Sequence, residues 1–301
     1  MRKYFFVLFI ITIPLIASSQ VWKRNRAELV FGGGATNFLG DLGGANHIGT
    51  HGFRDFNVAA IRFVTNIGYL YKIGKNFHIQ TDLYYARLGG NDNYTKEIFR
   101  NNRNLSFRSP VGEFIGKVMY SIGREKRGHI YNLRGVRGMN NIQVYTYFFA
   151  GFGIFYFNPK AKYIDGKWHA LQPLSTEGQG LYATRKKYHR VQPAIPIGMG
   201  FRYLLSPQWL IGIEYTLQYA PTDYIDDCST TYANPKLVRD AKGEVAAYFS
   251  NPPNNHPELV VATRPNQERG DPRNKDAFMF MVLSLRYRIP YVQHFLGIPK
   301  F

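Results

Sequence analysis

Cysteine is nearly absent. Cys228 is the only one in 301 residues, so no disulfide can close within the chain. In an oxidising compartment an odd cysteine points to an intermolecular bridge or a free thiol. Long apolar runs are also missing after the first 20 residues. The most hydrophobic internal stretch, residues 144–157, is short, aromatic and broken by glycine, which excludes a transmembrane helix of about 20 residues. Acidic residues are scarce: 20 Asp and Glu face 38 Lys and Arg, a net charge of +18. Such an excess calls for lipopolysaccharide, anionic lipid or an acidic protein surface, or else simply sets basic loops against anionic head groups. Nucleic acid is not expected of an exported chain.

What is abundant is Tyr (22), Phe (23) and Gly (29), a combination that favours strands over helices. The hydrophobic fraction of 45% is ordinary and the mean hydropathy is slightly negative at −0.28. A membrane barrel has this profile, because only alternate residues face lipid.

The N-terminus has the layout of a secretory signal. Arg2 and Lys3 form a positive start, residues 4–16 are apolar, and Ala17-Ser18-Ser19 has the small-x-small form of a cleavage site. The apolar segment is too short for a comfortable membrane helix, which disfavours an uncleaved anchor, and no cysteine follows it, so it is not a lipoprotein signal. The expected organisation is a signal peptide over 1–20, a barrel over 21–289 and a C-terminal tail over 290–301. Neither a second globular domain nor an internal repeat is visible. Trp22-Lys23-Arg24, just before the first strand, suits a membrane interface.

Alternation of period two is the decisive pattern. Trp209, Ile211, Ile213, Tyr215, Leu217 and Tyr219 fall on one face, and Gly212, Glu214, Thr216 and Gln218 on the other. A helix would scatter these residues; a strand sorts them. The same sorting recurs over residues 59–72, 77–85, 191–203 and 279–289, and more weakly over 27–39, 112–121 and 142–157. The predicted fold is therefore all-β: a small antiparallel transmembrane β-barrel of about eight strands, with long loops on one end. Short turns at 73–76 and 206–208, an intermediate link at 124–140, and long loops at 41–56, 89–104, 158–189 and 221–276 match the periplasmic and outer ends of such barrels. The region 251–273, rich in Asn, Pro and charge, reads as mobile or partner-dependent. A lipocalin-like soluble barrel would invert the faces; the signal peptide, aromatic-ended strands and basic charge favour the membrane version.

The polar faces carry Arg62, Asp82, Glu113, Lys117, Arg202, Glu214 and Arg286. In a narrow barrel such groups must pair inside the lumen. Arg62, Asp82, Glu113, Arg202, Glu214 and Arg286 are thus expected to form a lumen charge network that plugs the interior.

Catalytic and metal chemistry find little support. Gly32-Gly33-Gly34 lacks the Lys-Ser/Thr of a phosphate loop and better serves close strand approach. His47 and His51 have no third ligand for zinc. Asp223, Asp226 and Asp227 lack a calcium-loop pattern and suit turns and contacts with basic loops. Ser284 and His78 lie on polar faces with nothing to link them as nucleophile and base. No catalytic, cofactor or metal residue is assigned, and no cofactor or enzyme activity is expected.

Four blocks of the sequence point further. They are Arg26-Ala27-Glu28-Leu29 running into Gly34-Ala35-Thr36-Asn37-Phe38-Leu39-Gly40-Asp41-Leu42-Gly43-Gly44; Phe99-Arg100-Asn101-Asn102-Arg103-Asn104-Leu105-Ser106-Phe107-Arg108-Ser109-Pro110; Tyr156-Phe157-Asn158-Pro159, Gly166-Lys167-Trp168 and Leu171-Gln172-Pro173-Leu174-Ser175-Thr176-Glu177-Gly178-Gln179-Gly180; and Thr222-Asp223-Tyr224-Ile225-Asp226-Asp227 with Ser229-Thr230-Thr231-Tyr232. In these blocks, which together span most of the chain after the signal in order, it resembles the PorG-like outer-membrane β-barrel family of Bacteroidetes, a component of the type IX protein secretion system. The resemblance implies a non-enzymatic barrel in the outer membrane, tied to a periplasmic ring of a PorK-like lipoprotein and PorN-like subunits, serving protein transport and gliding motility. It makes Asp41, Arg100, Arg103, Trp168, Asp226 and Asp227 possible partner-contact loop residues. It also offers Cys228 an intermolecular disulfide with a ring subunit, in conflict with the loop-length rule, which puts Cys228 on the outer side. The alternatives are a general structural barrel that binds lipopolysaccharide or peptidoglycan, and an outer-membrane lipid-modifying enzyme.

Overall fold

The computed structural model describes residues 26–43, 58–122 and 144–290. The expected signal peptide, Trp22-Lys23-Arg24, Gly44, His47 and His51, the 124–140 link and the tail after Pro290 lie outside them. Eight long strands form the body: β1 Ala27–Leu39, β2 Arg62–Lys72, β3 Phe77–Asn91, β4 Ser106–Ile122, β5 Val144–Phe157, β8 Val191–Leu204, β9 Trp209–Tyr219 and β10 Ala277–Arg288. A small hairpin, β6 Lys160–Lys162 and β7 Trp168–Ala170, extends β4 at one end. Every barrel strand pairs antiparallel with its sequence neighbour. Pairing of β1 with β10, Glu28 opposite Arg288 through Leu39 opposite Ala277, closes the circle and leaves no edge in the body. The molecule is a closed, eight-stranded, up-and-down antiparallel barrel.

Strand alternation assigns the sides. Along β2, Val64, Asn66, Leu70 and Lys72 point inward and are buried, while Phe63, Ile67, Tyr69 and Tyr71 point outward. Phe114, Phe152, Ile154, Ile197, Ile213, Leu283 and Leu285 continue the outward set around the barrel. Burial of apolar groups is the usual drive for folding in water, so a ring of exposed Phe, Ile, Leu and Tyr on every strand is the inverse of a soluble barrel. Aromatic pairs sit at the turn end of this ring: Phe77 with Tyr120, centroids 5.1 Å apart, and Trp209 with Tyr287, 4.9 Å apart. Tyr120, Trp209 and Tyr287 are amphipathic rings of the kind that girdle the ends of membrane barrels.

Gly34 and Gly90 are among the close approaches that only glycine permits. A Cβ on Gly34 would collide with the Met281 carbonyl of β10, at the seam that closes the barrel. A Cβ on Gly90 would collide with the backbone of Leu42 in the first loop. Gly90 belongs to β3, so the β3–β4 hairpin runs past the barrel rim: Asn91 pairs with Ser106, and the loop expected at 89–104 shrinks to residues 92–105. The hairpin extends because the first loop packs against it.

Candidate functional site

Two buried polar assemblies fill the molecule, one in the barrel and one in the loops above it. In the barrel, Lys117 stands at the centre. Its Nζ donates to Glu214 Oε1 at 2.6 Å and lies 3.0 Å from Asp82 Oδ2. Glu214 Oε2 accepts from the Tyr147 hydroxyl at 2.9 Å and faces Arg286 Nη2 at 3.6 Å. Arg286 donates to Gln80 and Tyr147, and Gln80 and Asn66 donate to Asp82. Towards the turn end Glu28 meets Lys72 at 3.1 Å, Arg288 at 3.2 Å and Arg202 at 3.7 Å. Glu113 lies apart and accepts from Gln218 at 3.2 Å. Phe149 and Tyr147 add ring faces to Lys117, Arg202 and Arg286.

Of the residues assigned from sequence to a lumen network, the structure brings Asp82, Glu214 and Arg286 together through Lys117, and puts Arg202 in the Glu28 cluster. Arg62 corrects that assignment. It begins β2 at the loop end, half-buried, and its guanidinium donates to the carbonyls of Ala59 and Ile61. His78 and Ser284 are apart: His78 is 3.0 Å from Ser121 Oγ, and Ser284 Oγ donates to the Gly212 carbonyl.

Above the barrel the loops form a cap. A short helix, α1 Ile98–Arg103, follows a 3-10 turn at Asp92–Tyr94; α2 Pro235–Lys242 and α3 Glu244–Ser250 belong to the last loop. Asn234 caps α2 by accepting from the Lys236 amide, with Pro235 at its first position. Glu97 caps α1 by accepting from Phe99 and Arg100. Arg103, on the last turn of α1, is the hub. Its Nε and Nη2 grip both Asp92 oxygens at 2.8 and 2.9 Å, its Nη2 donates to the Asp41 carbonyl at 2.7 Å, and its Nη1 donates to the Arg269 carbonyl at 2.5 Å.

Arg269 is the second hub. Its Nη1 donates to Glu177 Oε1 at 3.0 Å and to the Asp227 carbonyl at 2.7 Å. Glu177 in turn accepts from the amides of Ser229 and Thr230 and from the Thr230 hydroxyl. Asp227, held at positive φ, accepts from Thr176 and from Tyr188 at 2.6 Å. Asp226 accepts from the amides of Leu42 and Cys228. Residues far apart in the chain thus satisfy one another's backbone and charge, as buried polar groups must.

The electrostatics of the cap are acidic on one side. Burial, reinforced by neighbouring carboxylates, pushes Asp223 up to about 8. Burial lifts Asp227 to about 6 despite Arg269 and two hydroxyl donors. Asp226 and Asp276 are pushed well up, by burial first and then by the carboxylates they face. Asp223, Asp226 and Asp276 thus face one another in a site that disfavours their ionised form. Among the described residues no set of His, Cys, Asp or Glu side chains is arranged to hold a metal ion. A cavity of about 110 Å³ between the loops, lined by Leu42, Leu105, Asp226, Phe249 and Arg269 among others, has room for a few waters.

The loop residues assigned to partner contact fall differently. Arg103, Asp226 and Asp227 are buried cross-links of the cap, and Asp41 accepts from the Asp271 amide through Oδ2. Arg100 donates to the Gly43 carbonyl. These five are engaged within the chain, and Trp168 is the exposed one. Cys228, offered for an intermolecular disulfide or as a free thiol, is fully buried: its Sγ donates to the Arg269 carbonyl at 3.1 Å, and burial pushes its thiol well up in spite of Arg103 and Arg269. A bridge to another chain would require the cap to open. The 251–273 region, read as mobile or partner-dependent, holds a 3-10 turn at Pro257–Thr263 and a bridge between Thr231 and Glu268. Glu177 and Arg269 were missed in the sequence because they meet each other across 92 positions of chain, and Glu177 reaches Ser229 across 52.

A family model described as a domain of unknown function (DUF6089) matches residues 2–241. The chain belongs to this family. The match includes the cap residues from Asp41 into α2, whereas Arg269 and β10 lie beyond it. No curated protein matches the DUF6089 chain. Among solved structures it is similar to Neisserial surface protein A, with 10% identity, a TM-score of 0.38, and 87% of this chain and 96% of that one covered. It is similar to the attachment invasion locus protein Ail of Yersinia pestis in complex with a heparin analogue, with 10% identity, a TM-score of 0.38, and 88% and 99% covered. It is also similar to the N-terminal β-barrel domain of Pseudomonas aeruginosa OprF, with 8% identity, a TM-score of 0.32, and 87% and 98% covered.

Proposed function

We propose that this DUF6089 chain is an outer-membrane barrel, delivered by a cleaved signal peptide, that acts as a fixed mount for a protein assembly and conducts nothing. The observation behind this is the filled interior. Lys117, Glu214, Asp82, Arg286 and Tyr147 close the barrel with fully or nearly fully buried side chains, and the cap covers its loop end. The exposed apolar ring supplies the reason for residence in a bilayer, since in water it would drive aggregation.

The assembly it serves is proposed to be type IX secretion, with a PorK-like lipoprotein and PorN-like ring subunits as partners. The four sequence blocks that resemble the PorG-like family support that reading.

The test is an affinity-tagged barrel recovered from cross-linked cells, combined with disruption of its gene. Co-purification of the ring subunits, with loss of secreted cargo and unchanged membrane permeability, supports the proposal. Normal secretion after disruption overturns the secretion role, and leaky membranes with normal secretion point to the general structural barrel.

A further inference from the structure

The loop rim above β4, β5 and β8 is basic and aromatic on its outward side. Arg108 stands on the outer face of β4, its guanidinium 5.5 Å from the centre of the Trp168 ring. Lys160 of β6 pairs with Arg108 of β4, and Lys162 pairs with Trp168 across the small β6–β7 hairpin. Ala161, between the two lysines, is the buried residue of that strand, so both lysines share Trp168's side. Nearer the barrel, Arg190 sits 5.6 Å over the ring of Tyr156 and donates to Asn158.

Tyr156 and Val191 are paired outward members of the apolar ring, so this ledge is its direct upward continuation. Among the described residues none of Arg108, Lys160, Lys162 and Arg190 has a carboxylate partner. The nearby Asp165, at the hairpin tip, is answered by Lys167. The four cations therefore face outward with no anion of their own.

We propose that this ledge binds the phosphate-bearing headgroup of an anionic membrane lipid, an inference that rests on the barrel's residence in a bilayer. Arg108 lies four residues further along β4 than Gly112, the partner of Tyr156. That is about 13 Å of strand, or roughly 9 Å along the membrane normal at a tilt near 45°. A headgroup whose acyl chains lie on Tyr156, Ile154 and Val191 brings its phosphate to that level. Arginine offers the planar fork that suits phosphate, and lysine the point charge. Trp168 and Tyr156 are amphipathic rings of the type that settles at an interface, and they fix the two guanidinium groups from behind.

The experiment compares intact barrel in phosphatidylcholine nanodiscs with and without phosphatidylglycerol, reading by native mass spectrometry which lipid stays bound on release. Wild type should retain phosphatidylglycerol in preference. Neutralising Arg108, Lys160, Lys162 and Arg190 to Gln should abolish that preference, each lost charge weakening retention roughly fivefold. The conservative pair Arg108→Lys and Arg190→Lys should keep most of it, which separates charge from folding. A control that neutralises the exposed Lys236, Lys242, Arg264 and Lys275 elsewhere on the cap should leave it intact. Undiminished preference in the ledge variant, or an equal loss in the control, overturns the ledge. Failure of wild type to enter nanodiscs as a heat-modifiable barrel overturns instead the membrane reading on which the ledge depends.

Discussion

Replacement of Arg103 by Met tests whether one arginine holds the cap together. Arg103 grips both oxygens of the fully buried Asp92 and two backbone carbonyls from other loops. Methionine fills a similar volume but leaves the Asp92 carboxylate with the Leu105 amide at 3.1 Å and Arg100 at 3.9 Å. Removing one partner of a buried ion pair costs about 3–5 kcal/mol, because the remaining charge stays out of water. The loss falls on the cap, since the barrel hydrogen bonds are independent of it. Cys228, 3.5 Å from Arg103, reports the opening: it is the only thiol in the chain, is fully buried and must be exposed before it reacts. At one factor of ten per 1.4 kcal/mol, its labelling by a thiol reagent should accelerate roughly 100- to 4,000-fold, while the barrel keeps its heat-modifiable mobility. The double variant Arg103→Met with Asp92→Asn should recover part of the protection by removing the stranded charge. Labelling unchanged in Arg103→Met, or a double variant more open than the single one, would refute a cap built on this pair.

The cap should also respond to pH. Asp223, raised to about 8, and Asp227, raised to about 6, bind protons more tightly folded than unfolded. Their contribution is therefore full below the ordinary carboxylate range, near about 4, and disappears as pH rises through about 6 to 8. Proteolysis of the loops, normalised to cleavage of an unfolded peptide, should quicken over that interval, and Asp223→Asn should flatten the response; a flat wild-type profile contradicts it. In the lumen, Lys117→Met leaves Glu214 and Asp82 without their shared cation. The barrel should lose about 3–5 kcal/mol, read as a lower urea midpoint, with partial recovery on adding Glu214→Gln; an unmoved midpoint sinks the idea. On the outer face, Leu283→Arg, at a residue 66% exposed, should cost about 2–4 kcal/mol if that face meets hydrocarbon. On a water-facing surface the same change stays within about 0.5 kcal/mol, so refolding into lipid with no loss of stability would contradict the membrane reading.

The barrel was legible in the sequence because its signal is local. Alternation along a strand such as Trp209–Tyr219 follows from backbone pleating alone, and turn residues between strands mark where it stops. From that pattern came the strand number, the inside and outside faces, and the polar composition of the lumen. Boundaries failed where tertiary contacts prolonged a strand, as at Gly89 and Gly90, which read as a loop but pair with Arg108 and Phe107. Composition alone did not place 251–273, where Arg269 joins the chain to Glu177 and Asp227.

By itself, then, the sequence determined that the chain forms a small barrel with an inverted, apolar exterior, because periodicity is written in neighbouring residues. Tertiary structure alone decided which charges meet. Lys117 took the central place between Asp82 and Glu214, and Arg62 was left at the rim with backbone carbonyls. Arg103 and Arg269 tied the loops together and sealed Cys228 beneath them. Pairing of buried charges depends on strand stagger around the barrel and on loops folding back from distant positions, and neither distance nor stagger is encoded in local pattern. For the same reason the outward ledge of Arg108, Lys160, Lys162 and Arg190 emerged only when the β6–β7 hairpin was laid alongside β4.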